Sequence, residues 1–109
     1  MILPNKSITI RKIKPGKETQ WQDWLRLLST TYRAEAAHSL ISENVLTEEA
    51  FVFELNKEWY ACGIMSSNGE IQKADMNLSV NQKHKEIMEE CLEKEKITGI
   101  PGYDIQVKI

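Results

Sequence analysis

Two carboxylates stand out in YRAEAAHSLISEN, residues 32–44, because they lie where an amphipathic helix would bury apolar side chains. At 100° per residue, Glu35, Ser39 and Glu43 fall on the same side of a helix as Trp21 and Leu28. A carboxylate that faces a protein interior must be paired, hydrogen-bonded or protonated, because its charged form is costly to bury. Catalytic acids and bases occupy such environments, so Glu35 and Glu43 are candidate catalytic residues.

A second interpretation places both carboxylates at a structural seam. They are eight residues apart, or roughly 12 Å along a straight helix, whereas the paired carboxylates of glycosidases lie about 5–9.5 Å apart. Ser29, Thr30 and Thr31 are also mediocre helix formers, and a bend there would rotate both carboxylates off the apolar side. The spacing disfavours a two-carboxylate hydrolase. Two alternatives remain for Glu35 and Glu43: a catalytic site of another kind, or a structural seam in which they pair with lysines at the sheet edge or the dimer interface.

His84 is the third candidate catalytic residue. It lies near the start of a predicted helix, on the same side as Val80, Ile87 and Cys91. The helix dipole there disfavours the imidazolium, and a neutral imidazole can act as a base or bind haem iron. The alternative is a histidine whose hydrogen bonds are satisfied within the core. The only other histidine is His38, and no cluster of Asp or Cys accompanies either one, so no zinc site is predicted.

Aromatic side chains between the predicted helices and sheet supply candidate ligand-binding residues. An aromatic pocket could be lined by Trp21, Trp24, Tyr32, Trp59 and Tyr60. The candidate ligand-binding residues are Trp24, Tyr32, Trp59 and Ser39, a serine of the apolar stripe. The alternative is that the aromatic residues simply fill the core, since large rings dominate burial in small domains. Gly63 and Gly69 lack the neighbours that a phosphate-binding loop or a nucleophile elbow requires. The motifs therefore argue against nucleotide-dependent and serine-hydrolase chemistry.

The composition describes one globular domain spanning residues 1–109, with 28% charged and 41% hydrophobic residues. The net charge of -2 supplies no electrostatic footprint for nucleic acid. MILPNKSITI contains no uninterrupted apolar run that would serve as a signal peptide or membrane anchor. Cys62 and Cys91 belong to no CxxC motif, so we expect small buried hydrophobes rather than a disulfide. We predict a cytoplasmic protein without a cofactor and without nucleic-acid or membrane partners.

Hydrophobic periodicity predicts the elements that would position these residues. SITIRKI, residues 7–13, alternates as a strand that Pro15 ends, and a helix runs from residue 17 to about 43. Residues 48–55 and 58–65 form a hairpin through the turn at Asn56 and Lys57. A short helix is predicted over 70–78, and a longer one begins at residue 79, capped by Ser79 or Asn81. YDIQVKI, residues 103–109, alternates as the last strand.

The resulting order, β-α-β-β-α-β, is the ferredoxin-like arrangement of the α+β class. It predicts a four-stranded antiparallel sheet with helices on one face only. A second copy of the same sheet is the simplest cover for the other face, so we predict an isologous homodimer in the form of a dimeric α/β barrel.

Several stretches carry a resemblance that agrees with this fold. IRKIKPGKETQWQDWL resembles the start of dimeric α/β-barrel domains, which include the antibiotic-biosynthesis-monooxygenase-like proteins. EAAHSLISENVLTEEAFVFEL, WYACGIM and DMNLSVNQKHKEIMEECLEK are similar to a family of small, uncharacterised bacterial proteins. The resemblance spans nearly the whole chain and implies the fold and the dimer, but it supplies no catalytic residues. Activities among such families include cofactor-independent oxygenation, haem degradation and sugar mutarotation, so the fold cannot choose among them.

Three functional hypotheses follow. The leading one is a homodimer that binds a small, partly apolar molecule between sheet and helices. The second is a monooxygenase-like or mutarotase-like enzyme that uses Glu35, Glu43, Tyr32 and His84 around a cavity under the first helix. The third is a structural or regulatory dimer without a ligand site. An enclosed cavity lined by Tyr32, Glu35 and His84 would favour the first two, and a filled core there would remove both.

Overall fold

The computed structural model describes residues 5–105, 107 and 108. Within them, four strands and three helices follow one another along the chain: β1 Asn5–Lys12, α1 Glu18–Ser29, α2 Arg33–Ser42, β2 Val45–Leu55, β3 Glu58–Ser67, α3 Ser79–Cys91 and β4 Ile97–Gly99. The strands form one antiparallel sheet in the order β2-β3-β1-β4. The α+β class and the four-stranded sheet are therefore confirmed. The predicted β-α-β-β-α-β order lacks one helix, because the chain reads β-α-α-β-β-α-β.

The extra helix arises because the predicted helix over residues 17–43 is interrupted at residues 30–32. The hydroxyls of Ser29 and Thr30 both donate to the carbonyl oxygen of Arg26, at 2.9 and 2.8 Å. Such side-chain bonds compete with the helical backbone pattern. The Tyr32 N–H donates to the Leu27 carbonyl at 2.9 Å and closes the turn. The second half of the stretch thus becomes a separate helix that contacts β2 and α3.

Two other predicted elements are wrong. Residues 70–78 form no helix, and the Asn77 N–H instead donates to the Asp75 carboxylate at 2.9 Å in a local turn. Residues 103–105, 107 and 108 form no strand, while Gln106 and Ile109 lie outside the described residues. The last strand is β4, which pairs with residues 8–10 of β1. Leu92 bridges to Ile13 directly after α3, so the chain reaches the edge of β1 earlier than the alternating pattern indicates.

The core lies between the helices and one face of the sheet. Its most buried members come from α1, α3 and the neighbouring strands: Ile13, Trp21, Trp24, Ala61, Val80, Cys91 and Leu92. The predicted apolar sides of α1 and α3 are confirmed. Cys62 and Cys91 are both buried and free, as expected. No helix among the described residues is long and apolar enough to cross a membrane.

The β2–β3 hairpin is confirmed with its turn. Asn56 and Lys57 have φ of 51° and 66°, and Leu55 pairs with Glu58 on either side of them. Two consecutive residues with positive φ are typical of the type I′ turn, whose twist matches that of the flanking strands. This tight turn sets the register of β2 against β3, and that register builds the site described next.

Candidate functional site

Small residues lie side by side on the sheet face beneath the helices. Gly63 on β3 pairs with Thr9 of β1 and with Ala50 of β2, so the three side-chain positions form one row across the sheet. A Cβ atom added at Gly63 would meet no other atom within 4 Å. The space above Gly63, on the sheet face beneath the helices, is therefore not filled by side chains, and we call it the hollow. An open cleft of about 670 Å³ lies above it.

Apolar side chains make up most of the cleft, with a few charged groups among them. The apolar lining comes from all three helices and β3, and includes Trp21, Leu25, Leu28, Ala36, Leu40, Ala61, Met65 and Met88. Arg11 of β1, Arg33 of α2 and Glu48 of β2 are charged groups on its walls. A concave, largely apolar site with a few polar groups is the usual form of a small-molecule binding site.

His84 is the one predicted catalytic residue that lines the cleft. The Trp24 indole N–H donates to His84 Nδ1 at 2.8 Å, and the two rings stack with centroids 6.0 Å apart. Burial lowers the pKa of His84 below its usual 6.5, which favours the neutral ring. Because an indole nitrogen can only donate, Nδ1 carries no proton and the neutral ring carries its hydrogen on Nε2. His84 therefore offers an N–H donor, whereas a base or a haem ligand acting through Nε2 needs a free lone pair.

Glu35 caps the N-terminus of α3 instead of lining the cleft. Its Oε1 accepts hydrogen bonds from Ser79 Oγ at 3.0 Å and from the Val80 N–H at 3.1 Å. Leu78, at the N-cap position of α3, supplies no side-chain hydrogen bond, so the predicted caps by Ser79 or Asn81 are wrong. A carboxylate from α2 satisfies these unpaired donors and interacts favourably with the positive end of the helix dipole.

Glu43 and Ser39 extend this contact between α2 and α3. Ser39 is buried and donates to Glu43 Oε2 at 2.6 Å. Asn81 Nδ2 donates to Ser39 Oγ at 2.7 Å and to the Asp75 carbonyl at 3.0 Å. We call the set Glu35, Ser39, Glu43, Ser79 and Asn81 the polar seam. The contacts of Glu35, Ser39 and Glu43 are those of the seam alternative, and none of the three lines the cleft.

The predicted ligand-binding aromatic residues also lie outside the cleft. Trp24 is 1% exposed and belongs to the core. Tyr32 packs against Trp24 with ring centroids 5.6 Å apart, and the Lys83 ammonium lies 5.6 Å from the Tyr32 ring centre. Trp59 is half-buried against the core. The space lined by Tyr32, Glu35 and His84 that was expected under α1 is not the cleft, which opens instead over Gly63.

Arg11, Glu48 and Gly63 all line the cleft, and the sequence pattern predicted a site role for none of them. Although Glu48 is exposed, desolvation by the surrounding protein and the charge of Glu43 raise the pKa of its carboxyl group. A signal for Arg11 was present in the sequence, because alternation along β1 puts it on the same face as the core residue Ile13. A charged side chain in the inward phase of a strand indicates a polar group that a site can use.

Replacing Glu35 with Ala tests the capping role. We expect the free energy of unfolding, measured by urea denaturation, to fall by about 1–2 kcal/mol, because two donors at the start of α3 lose their acceptor. Glu35→Gln keeps an acceptor oxygen and should lose less. Glu86→Ala, at an exposed glutamate of the same helix, is the control and should change stability by less than ~0.5 kcal/mol. Unchanged stability in Glu35→Ala would contradict the cap.

Similarity to known proteins assigns a family. Among the described residues, no group of three or more His, Cys, Asp and Glu side chains is placed to hold a metal ion. No curated protein matches the chain. The model of one protein family, described as a family of unknown function (DUF6176), matches residues 6–103. This range includes the three helices, the cleft lining and all four strands apart from Asn5, the first residue of β1. The chain therefore belongs to the DUF6176 family.

Proposed function

We propose that this protein is a cytoplasmic homodimer that binds a small, partly apolar molecule in the cleft over Gly63. The observation that carries the proposal is the hollow floor. Positive φ angles occur at Gly16 and Gly69, but not at Gly63, so the backbone at Gly63 does not require glycine. Glycine within a strand is less stable than alanine by roughly 0.5–1 kcal/mol. An unfilled position kept at that cost, beneath an apolar wall, is what a binding site needs.

The contacts of the candidate catalytic residues support binding over catalysis. Glu35 and Glu43 are engaged in the polar seam. The hydrogen bond from Trp24 leaves His84 with a donor at its free nitrogen. A group of this kind holds an acceptor atom of a ligand in place, whereas proton abstraction requires a vacant nitrogen. We therefore place ligand binding ahead of a monooxygenase-like or mutarotase-like activity.

The homodimer is supported by the sheet face opposite the helices, which we call the outer face. Register puts Ile8, Ile10, Phe51, Phe53, Tyr60, Cys62 and Ile64 together on it. Phe51 is 51% exposed, and Phe53 stacks on Tyr60 with centroids 5.3 Å apart. At the margins, Lys12 pairs with Glu58 at 2.7 Å. Because these two charges pair within the chain, a second copy can cover the apolar centre without burying an unpaired charge.

Filling the hollow tests the proposed site. The probe is 1-anilinonaphthalene-8-sulfonate, whose fluorescence rises when its rings enter an apolar site. Gly63→Leu should weaken its binding at least tenfold, and Gly63→Ala should have a smaller effect, because loss of space grows with side-chain size. The empty volume around Gly63 means that both variants should fold. Thermal unfolding recorded first will show this, since partly unfolded states also bind the dye.

Phe51→Ser is the matched control, because it alters an apolar position on the outer face and leaves the cleft intact. We expect the dye affinity of this variant to stay within twofold of the original. If Gly63→Leu binds the dye as tightly as the unaltered protein, the cleft is not the binding site and the proposed function is wrong.

A further inference from the structure

We infer that the cleft selects a molecule with a carboxylate group, held by Arg11, and an apolar body that lies over Gly63, with His84 as a second donor in the same cleft. This inference rests on the proposed function and names the chemical class of the ligand. It depends on two donors that line the cleft and that have hydrogen-bonding capacity left over after their contacts with the described residues.

Arg11 is an oriented guanidinium group without an ionic partner. Its Nε donates to the Glu93 carbonyl oxygen at 2.7 Å, which fixes the plane of the group. The side chain is partly buried, and no carboxylate of the described residues lies within 4.0 Å of it. Partial burial reduces solvent screening of the charge, so an anion at this position would gain more than at the surface. The two free Nη groups match the fork geometry of a carboxylate.

His84 supplies the second donor. Its Nδ1 is occupied by Trp24, while Nε2 has no hydrogen bond with any described residue and remains accessible, since the buried unpaired polar side-chain atom found in the described chain is Trp21 Nε1. A ligand that fills the cleft would displace water from this donor, so a ligand with an acceptor atom at this position is favoured over one without.

Arg11 and His84 both line the cleft, but from different walls. The Arg11 guanidinium contacts the Glu93 carbonyl just past the end of α3, whereas His84 lies nine residues earlier in the chain, within that helix. His84 can therefore bind a second acceptor atom of the ligand, while Arg11, which pairs with Ala61 on β3, binds the carboxylate. The hollow at Gly63 is two residues further along β3 from Ala61. A ligand with its carboxylate at Arg11 would therefore cover the hollow with its apolar part.

The two acidic residues of the cleft lining, Glu48 and Glu49, are too far away to pair with Arg11. Glu48 pairs with Met65 on β3, whereas Arg11 pairs with Ala61, so the two lie two strands and four residues apart on the sheet. With strands ~4.8 Å apart and ~3.3 Å per residue, their Cα atoms are separated by roughly 16 Å. Glu49 pairs with Ile64, so by the same spacing its Cα atom lies roughly 14 Å from that of Arg11. Arg26 and Arg33 add positive charge to the cleft walls, and Arg11 therefore remains free to bind an anion.

Three probes of equal chain length test the preference: octanoate, 1-octanol and octylamine. Isothermal titration calorimetry at neutral pH should show octanoate binding at least tenfold more tightly than 1-octanol, with octylamine weakest. Tenfold corresponds to about 1.4 kcal/mol, which is within the range for a charge-assisted hydrogen bond. Added salt should weaken octanoate binding more than octanol binding.

Arg11→Gln should lower the affinity for octanoate at least tenfold. Its affinity for 1-octanol should stay within twofold of that of the unaltered protein. Arg11→Lys keeps the charge but loses the fork geometry. Its octanoate affinity should lie between that of Arg11→Gln and that of the unaltered protein. The matched control is Lys73→Gln, which removes the same charge from an exposed residue between β3 and α3 that does not line the cleft. Its octanoate affinity should stay within twofold.

The outcomes separate this inference from the proposed function. If octanol binds as tightly as octanoate and Gly63→Leu blocks both, the cleft is a binding site and the carboxylate preference is wrong. An equal loss of octanoate and octanol affinity in Arg11→Gln would also overturn the preference. If no probe binds and Gly63→Leu leaves dye binding unchanged, the proposed function fails, and the inference fails with it.

Discussion

Replacing Trp24 with Phe is expected to lower the free energy of unfolding by about 2–4 kcal/mol, whereas Trp21→Phe should lower it by roughly 1 kcal/mol or less. Both indoles lie on α1 and are buried, with 1% and 5% of their surface exposed. Their nitrogens differ. Trp24 Nε1 donates to His84, while Trp21 Nε1 is buried with no hydrogen-bond partner among residues 5–105, 107 and 108.

The difference follows from what each change leaves behind. Trp24→Phe leaves a largely buried acceptor on His84 without its donor, and an unsatisfied buried group costs about 1–3 kcal/mol in addition to lost packing. Trp21→Phe removes a donor that is already unsatisfied, which offsets part of its lost packing. Urea denaturation of both variants gives the comparison.

A second measurement separates the hydrogen bond from packing. Nitrogen NMR of the imidazole should show the hydrogen on Nε2 of His84 in the unaltered protein, and a mixture of tautomers once Trp24 is replaced. In a double-mutant cycle, Trp24→Phe combined with His84→Phe should show a coupling of at least ~1 kcal/mol. Equal destabilisation by the two tryptophan changes, with no change in tautomer, would refute the proposed role of the Trp24–His84 bond.

Phe51→Glu is expected to raise the dissociation constant of the proposed homodimer at least 100-fold, or about 2.7 kcal/mol. In an isologous interface the substitution occurs twice, and each copy places a carboxylate on the apolar outer face opposite a partner that offers it no charge. Sedimentation equilibrium across micromolar concentrations measures the shift directly.

Ile41→Glu is the matched control for this experiment. Ile41 is 75% exposed on α2, on the helical side of the sheet, so the same apolar-to-acidic change occurs away from the outer face. We expect its dissociation constant to stay within threefold of the original. A protein that is monomeric at micromolar concentration before any substitution, or an equal effect of Ile41→Glu, would show that the outer face does not form the interface.

Local pattern was sufficient to predict much of the fold. The two-residue repeat of β1 and of the hairpin, and the apolar sides of α1 and α3, were confirmed because neighbours along the chain decide which face each residue occupies. The turn at Asn56 and Lys57 was likewise predictable, since its chemistry lies within two residues.

The errors lie where a distant contact overrides a local pattern. Apolar and polar residues alternate more regularly in residues 103–109 than in residues 97–99. Residues 97–99 nevertheless form β4, because the bridge between Leu92 and Ile13 brings them to the free edge of β1. The break between α1 and α2 is an exception with a local cause, because the hydroxyl groups of Ser29 and Thr30 both donate to the Arg26 carbonyl. The sequence LSTT, residues 28–31, contains mediocre helix formers and had suggested a bend there as the alternative to one continuous helix.

Only part of the candidate site was accessible from the sequence. The position of His84 on the apolar side of a helix marked it as a candidate. Its tautomer could not be predicted, because it is set by Trp24, 60 residues away in the chain. Glu35 was recognised as unusual, and yet its function as a cap depends on where α3 begins in space. Arg11 and Gly63 are ordinary strand residues until β1 and β3 are aligned.

The amino-acid order by itself determined the class of fold, the identity of the buried helix faces and the oddity of the two glutamates, because these depend on periods of two and 3.6 residues. The tertiary structure alone decided that the glutamates join α2 to α3 and that a hollow opens at Gly63. That hollow exists because Thr9, Gly63 and Ala50, from three separate strands, meet in one row, and the alignment of strands is a property of the whole sheet.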